Sequence, residues 1–555
     1  MTPKKKFDHS HDLVLLPLGG TGEIGMNCYA YGAGGGRDRR WLLVDLGVKF
    51  GSDREPGIDV ILPDLGFITG NRDRLEGLVI THAHEDHIGA VPWLWPQLEC
   101  PVWCTPFAAE LLKLKLKEHG LDGEVPVHVM DQKAHFKAGP FKLEYVPVTH
   151  SIPESCALVI ETAGGRVVHS GDWKWDRTPL MGRGMDEKRF RELGGLGVDV
   201  LVCDSTNVLR EGFSPSEREV AATLADIVAQ APARVVVTTF ASQVERIYSA
   251  VKAARAAGRE VVIAGRAMRN TIEAARATGL LTDAGAFLDE EEAGFLPPDR
   301  VLILCTGSQG EPRAAISRIA EGSHPHIELN PGDLVIFSSK TIPGNELEVA
   351  AVHNNLALLD IDVLTSDDAL VHSSGHPRQG ELQALYDWLK PRALVPMHGE
   401  PRHLRAHARF AETHGIAETL IPRDGVIMRL CPAPLQAVAE APVGRLHVDG
   451  ELIVAGAEGP AKLRRKLSFV GIIVAVLVLT DKGELADDIH LLTDGVPPGL
   501  DDELMAAAET AFDSLPRPRR RDDNQVAETL RMAIRRTAEQ IWGKKPVVKV
   551  VVSRI

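Results

Sequence analysis

One short segment of the chain carries three imidazoles and a carboxylate that could bind metal. Residues 82–87 read HAHEDH and follow an apolar, strand-like segment. A loop there can turn so that His82 and His84 face one cation while Asp86 and His87 face a neighbouring one. Imidazole and carboxylate ligands at this density favour zinc or manganese over calcium. The segment therefore predicts a metal centre with room for two ions.

Two ions need further ligands, and three side chains stand where predicted strands end. His150 closes KLEYVPVTH, Asp172 follows RVVHSG and His398 ends ALVPMH. Strands of one sheet deliver such residues to a common edge. Two neighbouring cations can share a hydroxide and neutralise a phosphodiester during in-line attack. The predicted chemistry is hydrolysis, and a phosphodiester suits this arrangement better than an amide.

A glycine-rich segment near the start of the chain resembles a dinucleotide-binding fingerprint. Gly20, Gly22 and Gly25 follow a predicted strand, and Asp45 ends the next one. The fingerprint also needs a helix that begins among the glycines. The following residues, MNCYAYGAGGG, alternate as in a strand. We therefore interpret the glycines as a tight turn that lets the backbone approach another element.

The elements that must position these residues change in character along the chain. Short strands with interspersed helices up to about residue 213 favour a layered α/β fold. Strand and helix then alternate, which is typical of a parallel sheet built of βαβ units. Short strands return from about residue 355, and a Pro/Ala-rich segment precedes a last group of strands and two helices. The apolar run 467–480 is interpreted as a buried strand, since it is too short to span a bilayer.

This pattern divides the chain into three domains. The predicted metal-binding lobe has two segments, residues 1–212 and 355–431. Between them lies an inserted lobe at residues 213–354. A linker at residues 432–444 leads to a C-terminal module at residues 445–555.

The charge balance excludes one class of function. The 555 residues include 62 Lys and Arg against 76 Asp and Glu, a net charge of −14. Such a chain does not coat nucleic acid by bulk charge, although a local basic groove remains compatible with it. The basic runs are interpreted as solvated faces; they are Lys4-Lys5-Lys6, Arg464-Arg465-Lys466 and Arg517-Pro518-Arg519-Arg520-Arg521.

Cysteine usage and the N-terminal segment indicate a cytoplasmic location. The seven cysteines are scattered and form no disulfide framework, which suits a reducing compartment. The segment MTPKKKFDHSHD lacks the apolar region of a signal peptide. No membrane association is expected.

The metal motif, Asp45 and the three strand-end residues together resemble the metallo-β-lactamase superfamily. The resemblance implies an αββα sandwich that holds two zinc ions per subunit, with manganese as the alternative. One ion would take His82, His84 and His150. The other would take Asp86, His87 and His398. Asp172 would bridge the two ions, and Asp45 would orient the loop from behind.

The long interval between Asp172 and His398 resembles the β-CASP module of nucleic-acid-processing enzymes. Asp204 in DSTN, His376 in HSSGH and His398 in PMHGE match its motifs in order. The resemblance extends to the ribonuclease J family through GGTGEIGMN, HAHEDH, SGDWK, TTFASQVERI and CTGSQGEP, and it covers about residues 8–555. It identifies Asp86, Asp204 and His376 as catalytic candidates, and the residues independently favour His376 as the proton donor to a leaving 3′-oxygen.

The resemblance also implies a function and partners. A ribonuclease of this family would act as a 5′-to-3′ exonuclease on single-stranded RNA with a 5′-monophosphate, and it would also cut internally. It would mature ribosomal RNA and degrade messenger RNA in the cytoplasm. A homodimer or homotetramer and an RNA-degradation complex are the implied assemblies.

Two segments are candidates for binding substrate phosphate. The small residues of the HSSGH turn could present N–H groups to phosphate; they are His372, Ser373, Ser374 and Gly375, followed by His376. Ser242 opens a predicted helix, where it could hold phosphate or cap the helix. By resemblance, Ala241, Ser242 and Gln243 would contact a 5′-monophosphate. Arg246, one turn later, would face phosphate or solvent, and Ser308 is interpreted as structural.

Two other classes of function remain open from the sequence. The first is a small-molecule hydrolase of the same superfamily that acts on a thioester or lactam. The second is a non-catalytic RNA-binding scaffold. Hydrolysis of a thioester but not of RNA would favour the first, and a protein without bound metal would favour the second.

Overall fold

The computed structural model describes residues 11–555. The Lys4-Lys5-Lys6 run and most of the N-terminal segment interpreted above lie outside these residues. The described chain forms two compact units. One contains the described residues up to Lys49 together with Leu62–Gly444, and the other contains Phe50–Ile61 together with Arg445–Ile555.

The elements from residue 13 to residue 204 are mostly short strands, as the sequence predicts. The strands are β1 (Leu13–Gly19), β2 (Cys28–Ala33), β3 (Arg40–Val44), β4 (Lys49–Phe50), β5 (Val60–Pro63), β6 (Leu75–Val79), β7 (Val102–Cys104), β8 (Val127–Val129), β9 (His135–Ala138), β10 (Phe141–Pro147), β11 (Cys156–Thr162), β12 (Gly165–His169) and β13 (Val200–Asp204). The helices are α1 (Gly66–Thr69), α2 (Glu85–Ile88), α3 (Val91–Leu98), α4 (Pro106–Glu118) and α5 (Glu187–Leu196).

Strand and helix alternate regularly in the next part of the chain. Its strands are β14 (Val235–Thr238), β15 (Glu260–Ala264), β16 (Val301–Cys305), β17 (Leu334–Phe337), β18 (Asp362–Leu364), β19 (Ala393–Met397), β20 (Glu418–Thr419), β21 (Val426–Cys431) and β22 (Gln436–Glu440). Its helices are α6 (Glu217–Gln230), α7 (Val244–Ala256), α8 (Arg266–Ala277), α9 (Ala315–Ala320), α10 (Glu346–Leu358), α11 (Gln379–Leu389) and α12 (Pro401–Thr413).

Two large sheets form the central layers of the first unit. Their strand orders are β22-β21-β1-β2-β3-β6-β7-β8 and β20-β19-β13-β12-β11-β10-β9. Buried side chains from both sheets meet in one core, for example Leu15 of β1 with Tyr145 of β10 and Leu158 of β11. Helices α5 and α11 cover the outer face of the seven-stranded sheet through residues such as Phe190 and Leu382. The αββα sandwich expected from the sequence is present.

The direction of the strands explains why the candidate ligands meet. Strands β12, β13 and β19 are parallel neighbours. Asp172 follows β12, Asp204 ends β13 and His398 follows β19, so all three side chains emerge at the same edge of the sheet. This edge is the usual place for a ligand site in an α/β sheet.

The inserted lobe is a separate parallel sheet. Its strand order is β15-β16-β14-β17-β18, and every neighbouring pair is parallel. Helix α6 begins with a capping box in which the side chain of Ser216 caps the first turn. Strand β18 extends this sheet past residue 354, where the sequence placed the end of the inserted lobe.

The second unit combines two sheets with three helices. Its elements after residue 444 are β23 (Arg445–Asp449), β24 (Leu452–Ala455), α13 (Ala461–Val470), β25 (Ile472–Leu479), β26 (His490–Asp494), α14 (Asp501–Asp513), α15 (Asp523–Trp542) and β27 (Val547–Arg554). One sheet has the strand order β24-β23-β5-β4, so β4 and β5, from residues 49–63, pair with strands that follow residue 444. The other sheet has the order β26-β25-β27. Alternate residues of β25, such as Ile473 and Leu477, are buried against α14 and α15.

Two sequence interpretations need correction. The apolar run 467–480 is not one strand, because its first residues end α13 and a glycine with positive φ, Gly471, separates them from β25. The segment 432–444 is not only a linker, because β22 pairs with β21 at the edge of the eight-stranded sheet. An edge strand such as β22 depends on main-chain pairing more than on apolar side chains, so the Pro/Ala-rich composition of this segment does not indicate a strand.

Within residues 11–555, no helix has both the length and the apolar character needed to cross a membrane. All seven cysteines are buried free thiols, in agreement with the absence of a predicted disulfide framework.

Candidate metal centre

Three histidine nitrogens converge beyond the end of β6. Nδ1 of His84 lies 3.2 Å from Nε2 of His82 and 3.1 Å from Nε2 of His150. His82 and His150 are 1% and 5% exposed. The short helix α2 begins directly after His84 and turns the next two candidate ligands towards the same place. The structure thus brings together the first predicted set of ligands.

The hydrogen bonds around this cluster leave lone pairs facing one another. Oγ1 of Thr81 donates to Asp45, so Nδ1 of His82 serves as donor to Thr81. Nδ1 of His150 donates to the carbonyl of Gly375 at 2.6 Å. The Nε2 atoms of both rings are therefore acceptors that face His84. One proton cannot satisfy three converging nitrogens, whereas a cation can. The cluster fits a divalent metal ion.

A second cluster adjoins the first and contains two carboxylates and two imidazoles. Nε2 of His87 lies 3.2 Å from Oδ2 of Asp172 and 3.6 Å from Oδ2 of Asp86. His398 lies 3.2 Å from both carboxylates, through Nε2 to Asp86 and Nδ1 to Asp172. Oδ1 of Asp172 is buried and accepts no hydrogen bond. This mixed set of hard oxygen and imidazole ligands also fits a divalent ion.

Asp45 fixes the loop from behind, as the sequence predicts for its place. Its carboxylate accepts the Thr81 amide N–H at 2.7 Å and Nδ1–H of His87 at 2.7 Å. These bonds hold the His87 ring so that Nε2 faces the cluster. Asp45 adopts a positive φ of 61°, a costly conformation that its three hydrogen bonds support. Such support from outside the ligand set is typical of metal-binding histidines.

Asp204 and His376 form a pair beside the second cluster. Oδ2 of Asp204 lies 2.8 Å from Nδ1 of His376, and that nitrogen lies 3.8 Å from Asp172. The other oxygen of Asp204 accepts from the hydroxyl and the amide of Thr206. His376 is partly exposed, with 20% of its side chain accessible, whereas Asp204 is buried. An imidazole held by a buried carboxylate at the rim of a metal cluster can deliver a proton to a bound substrate.

The electrostatics of the two clusters suit cation binding. Burial lowers the pKa of His84 to about 4 and holds those of His82 and His150 well below the usual histidine value, so the neutral rings are favoured. Burial opposes the ionisation of Asp172, but His398 and His87 bring its pKa to about 2. Neutral imidazoles and ionised carboxylates are the forms that bind metal.

The Asp204–His376 pair behaves differently from the histidine triad. Burial lowers the pKa of His376, but the negative charge of Asp204 outweighs it and raises the pKa above its usual value. The proton on His376 is therefore retained at higher pH than on a free imidazole. This property suits a proton donor.

The HSSGH turn lies against the clusters, but its members do different things. Gly375 packs so closely that a side chain would lie 2.6 Å from the ring of His150. Ser374 accepts a hydrogen bond from Asn207 at 2.8 Å. Ser373 is buried and its hydroxyl donates to the carbonyl of Pro215. His372 is largely buried, and burial lowers its pKa to about 3. The His376 side chain joins one of the clusters, beside Asp172, Asp204 and His398.

The residues after β14 differ from the prediction. Ala241 and Ser242 are partly exposed, and the helix N-cap is Gln243 rather than Ser242. The Gln243 side chain is buried and donates to Glu217. Arg246 faces neither phosphate nor solvent, because it is fully buried and pairs with Glu217 at 2.7 Å. The helical spacing that suggested an outward arginine did not reveal this buried carboxylate.

Ser308 and two arginines of the basic runs make contacts within the protein. Ser308 is buried and its carbonyl accepts from Gln309, so it is structural. Among the basic runs, Arg464 forms a bidentate pair with Asp449. Arg520 stacks on Phe512. Both arginines serve intramolecular contacts.

The glycine turn near the start of the chain holds a candidate ligand. The carbonyl of Gly20 accepts the backbone N–H of His398 at 2.9 Å, and the Gly25 N–H approaches Nε2 of the same residue. No helix begins among these glycines. The turn lets the backbone approach His398, which itself has a positive φ of 49°.

Two residues that contact the site, Asn27 of GGTGEIGMN and Thr206 of DSTN, have no role assigned from the sequence. Nδ2 of Asn27 lies 3.3 Å from Asp86 and 3.0 Å from Nε2 of His87. Oγ1 of Thr206 lies 3.1 Å from Nδ1 of His398. Their segments support the family resemblance, but an amide or hydroxyl side chain does not by itself indicate which group it contacts, so these contacts follow from the structure.

Four family models match successive parts of the chain. A "Beta-lactamase superfamily domain" matches residues 40–239 and a "Ribonuclease J, beta-CASP domain" matches residues 232–356. A "Zn-dependent metallo-hydrolase RNA specificity domain" matches residues 367–422, and a "Ribonuclease J C-terminal domain" matches residues 462–555.

Curated relatives match nearly the whole chain. A protein named ribonuclease J from Sinorhizobium meliloti is 46% identical, over 99% of this chain and 100% of the relative. Its namesake from Mycolicibacterium smegmatis is 38% identical, over 97% and 96% of the two chains. A solved structure of a protein of unknown function from Enterococcus faecalis is similar with a TM-score of 0.53 at 16% identity, over 75% of this chain and 100% of that chain. The last likeness concerns the fold.

Proposed function

Since the chain belongs to the ribonuclease J family of metal-dependent ribonucleases, we propose that it degrades single-stranded RNA from a 5′-monophosphate end, in the 5′-to-3′ direction, and also cuts internally. Its family sets aside the small-molecule hydrolase and the non-catalytic scaffold considered above. Maturation of ribosomal RNA and decay of messenger RNA in the cytoplasm are the proposed roles.

The observation that carries this proposal is the adjacency of three clusters of ligating groups. Two of them hold the candidate metal ligands, and the third adds the Asp204–His376 pair. Asp172 and His398 belong to two of the clusters at once. A nuclease needs cations beside the scissile phosphate and a proton donor beside the leaving oxygen, and both are adjacent here.

We assign two divalent ions to the centre, zinc or manganese. His82, His84 and His150 would hold one ion. Asp86, His87 and His398 would hold the other, with Asp172 between them. When bound, the ions would activate water and neutralise the charge of the phosphodiester.

The side chains of the protein then have separable tasks. Thr81, Asp45 and Gly375 fix the tautomers and ring orientations of the liganding histidines. Asp204 keeps His376 protonated and holds its ring beside Asp172. His376 would donate its proton to the leaving 3′-oxygen. Such proton transfer contributes about 10² to 10⁴ in rate.

The 5′-end of the substrate would lie against the HSSGH turn. We propose that backbone N–H groups of Ser374 and Gly375 face the terminal phosphate, with Ala241 and Ser242 contributing from the inserted lobe. Asn207 supports this turn by donating to Ser374 and to the carbonyl of His376. Successive backbone N–H groups in a turn form a common phosphate cradle. A homodimer or homotetramer, and association with an RNA-degradation complex, complete the proposal.

One assay tests directionality and 5′-end preference together. Incubation with RNA labelled at either end, carrying a 5′-monophosphate or 5′-triphosphate, should release labelled mononucleotide early from the 5′-labelled monophosphate RNA. The 3′-labelled RNA should shorten progressively, and added zinc or manganese should support the reaction. Chelation should abolish it. Failure to cut any of the RNAs would contradict the function, whereas equal rates on both 5′-ends would contradict only the end preference.

A second prediction concerns His376. His376→Gln should lower kcat for RNA by about a hundredfold, since proton donation to the 3′-oxygen is lost. A phosphodiester with a nitrophenol leaving group needs no such proton, so its hydrolysis should fall far less. Steady-state kinetics with both substrates measures the difference.

The control for His376 is His414→Gln, on the exposed end of α12. It should leave both activities unchanged. Equal losses on the two substrates in His376→Gln would show that His376 positions groups rather than donating a proton.

A further inference from the structure

Three cationic residues lie on three loops that hydrogen bonds join beside the HSSGH turn. Arg210 follows the DSTN segment after β13, Lys340 follows β17 of the inserted lobe, and Arg378 lies two residues after His376. Arg210 and Arg378 are partly exposed and Lys340 is exposed. None of them belongs to the metal clusters or to the phosphate turn described above.

Hydrogen bonds between the loops fix this arrangement. The carbonyl of Arg210 accepts the N–H of Gln379 at 3.0 Å, which pins the loop of Arg210 beside that of Arg378. The Ser338 hydroxyl donates to the carbonyl of Val371 at 2.6 Å and pins the strand end before Lys340 against the start of the same turn. The three loops thus meet at one place although they come from two lobes.

These three cations differ from many others in the unit because no carboxylate of the described residues lies within ion-pair distance of them. Among residues 11–555, none of the three cations takes part in an ion pair, and Nε of Arg378 is buried without a hydrogen-bond partner. Burial lowers the pKa of Lys340 and the repulsion of Arg210 lowers it further, whereas the attraction of Asp367 opposes the shift and Arg378 adds a smaller repulsion. Other arginines of this unit, such as Arg189 and Arg255, pair with a carboxylate. An uncompensated group of cations is typical of an anion-binding surface.

We propose that Arg210, Lys340 and Arg378 form a binding site for an internucleotide phosphate of the RNA chain, next to the metal centre. This inference rests on the proposed function, because the site serves a substrate longer than the nucleotide being released. The partial exposure of the three side chains leaves them accessible to a flexible polyanion. Because the cations come from both lobes, a bound phosphate would also bridge the lobes across the HSSGH turn.

The test uses the full-length protein and a triple variant, Arg210→Ala/Lys340→Ala/Arg378→Ala. For a ten-nucleotide RNA the KM should rise about tenfold with kcat nearly unchanged, because a charge-assisted contact is lost outside the reacting atoms. The slope of log KM against log salt should fall by about 0.7 for each lost phosphate contact. Hydrolysis of a nitrophenyl phosphodiester, which has no further phosphates, should not change.

Two controls make the result decisive. Lys340→Arg keeps the charge and should retain the KM of the parent protein, and Lys252→Ala removes an exposed cation paired with Asp283 elsewhere on the inserted lobe. An unchanged KM and salt slope in the triple variant would overturn the inference while the parent still cuts RNA. The inference would also be overturned if the triple variant changed only the inhibition constant for a mononucleotide, because the three cations would then bind the released product and not the RNA chain. A parent protein inactive on all RNA would instead contradict the proposed function.

Discussion

Asp172→Ala should lower the rate of RNA hydrolysis by about a thousandfold and reduce the bound metal per chain. The carboxylate lies 3.2 Å from His87 and 3.2 Å from His398, and one of its oxygens is buried without a hydrogen bond. It is the residue best placed to touch both proposed ions. Loss of about 4 kcal/mol of charge stabilisation corresponds to a thousandfold in rate. Kinetics on RNA and metal analysis by mass spectrometry measure the two effects separately.

The matched control for this variant is Asp131→Asn, on the same lobe. Asp131 is exposed, pairs with Arg183 at the surface and accepts the Lys133 N–H, so activity and metal content should stay at the level of the parent. Circular dichroism should show that Asp172→Ala remains folded. Full metal content with full activity in Asp172→Ala would remove Asp172 from the proposed centre.

The sequence predicts the metal clusters well because their ligands obey local rules. Four of them lie within HAHEDH, and a loop of six residues has few ways to arrange them. His150, Asp172 and His398 end or follow strands, and parallel strands bring their carboxyl ends to one edge. Nothing beyond strand prediction is needed to expect these groups near one another.

Contacts that depend on the packing of distant segments could not be predicted in this way. Asn27 reaches Asp86 only because β2 lies beside β3 and the glycine turn folds over the cluster. Arg246 pairs with a carboxylate of α6 and with the carbonyl of Val371, which is 125 residues away. A helical pattern gives the direction of a side chain around its own axis, but it does not show what packs there.

The domain boundaries show the same limit. Strands β4 and β5 belong to a sheet with β23 and β24, although about four hundred residues separate them in sequence. Composition could not reveal this pairing. Helix α13 was also missed, because its basic and apolar residues run directly into the apolar strand β25.

A buried ion network between the two lobes gives the second large prediction. Glu217 lies between Arg246 at 2.7 Å and Lys174 at 3.2 Å, and all three side chains are at most 1% exposed. Arg246 also donates to the carbonyl of Val371 at 2.7 Å, and Lys174 approaches Ser373 at 3.3 Å. The network therefore connects the inserted lobe with Val371 and Ser373, which precede His376 in the chain.

Arg246→Met should lower the free energy of the first unfolding transition by about 3 to 5 kcal/mol. Removal of Arg246 leaves the buried Glu217 charge with one cation fewer and removes one of two hydrogen bonds to the Val371 carbonyl, and both losses are costly. Burial would raise the pKa of Glu217, but Arg246 and Lys174 lower it to about 2. Its contribution to stability is thus complete above the usual glutamate pKa of about 4.5 and is lost as the pH falls towards 2. Urea unfolding followed by tryptophan fluorescence at pH 7 and at pH 3 measures both effects.

The same helix provides the control. Arg255→Met breaks an exposed pair with Glu260 on α7 and should cost less than about 1 kcal/mol. Because Arg246 and Glu217 touch, the double variant Arg246→Met/Glu217→Gln should cost about 1 to 3 kcal/mol less than the sum of the single variants. Additive costs, or a loss in Arg246→Met no larger than in Arg255→Met, would show that the pair is not coupled. Coupling together with a weaker affinity for RNA would show that this buried network holds the HSSGH turn in place from beneath.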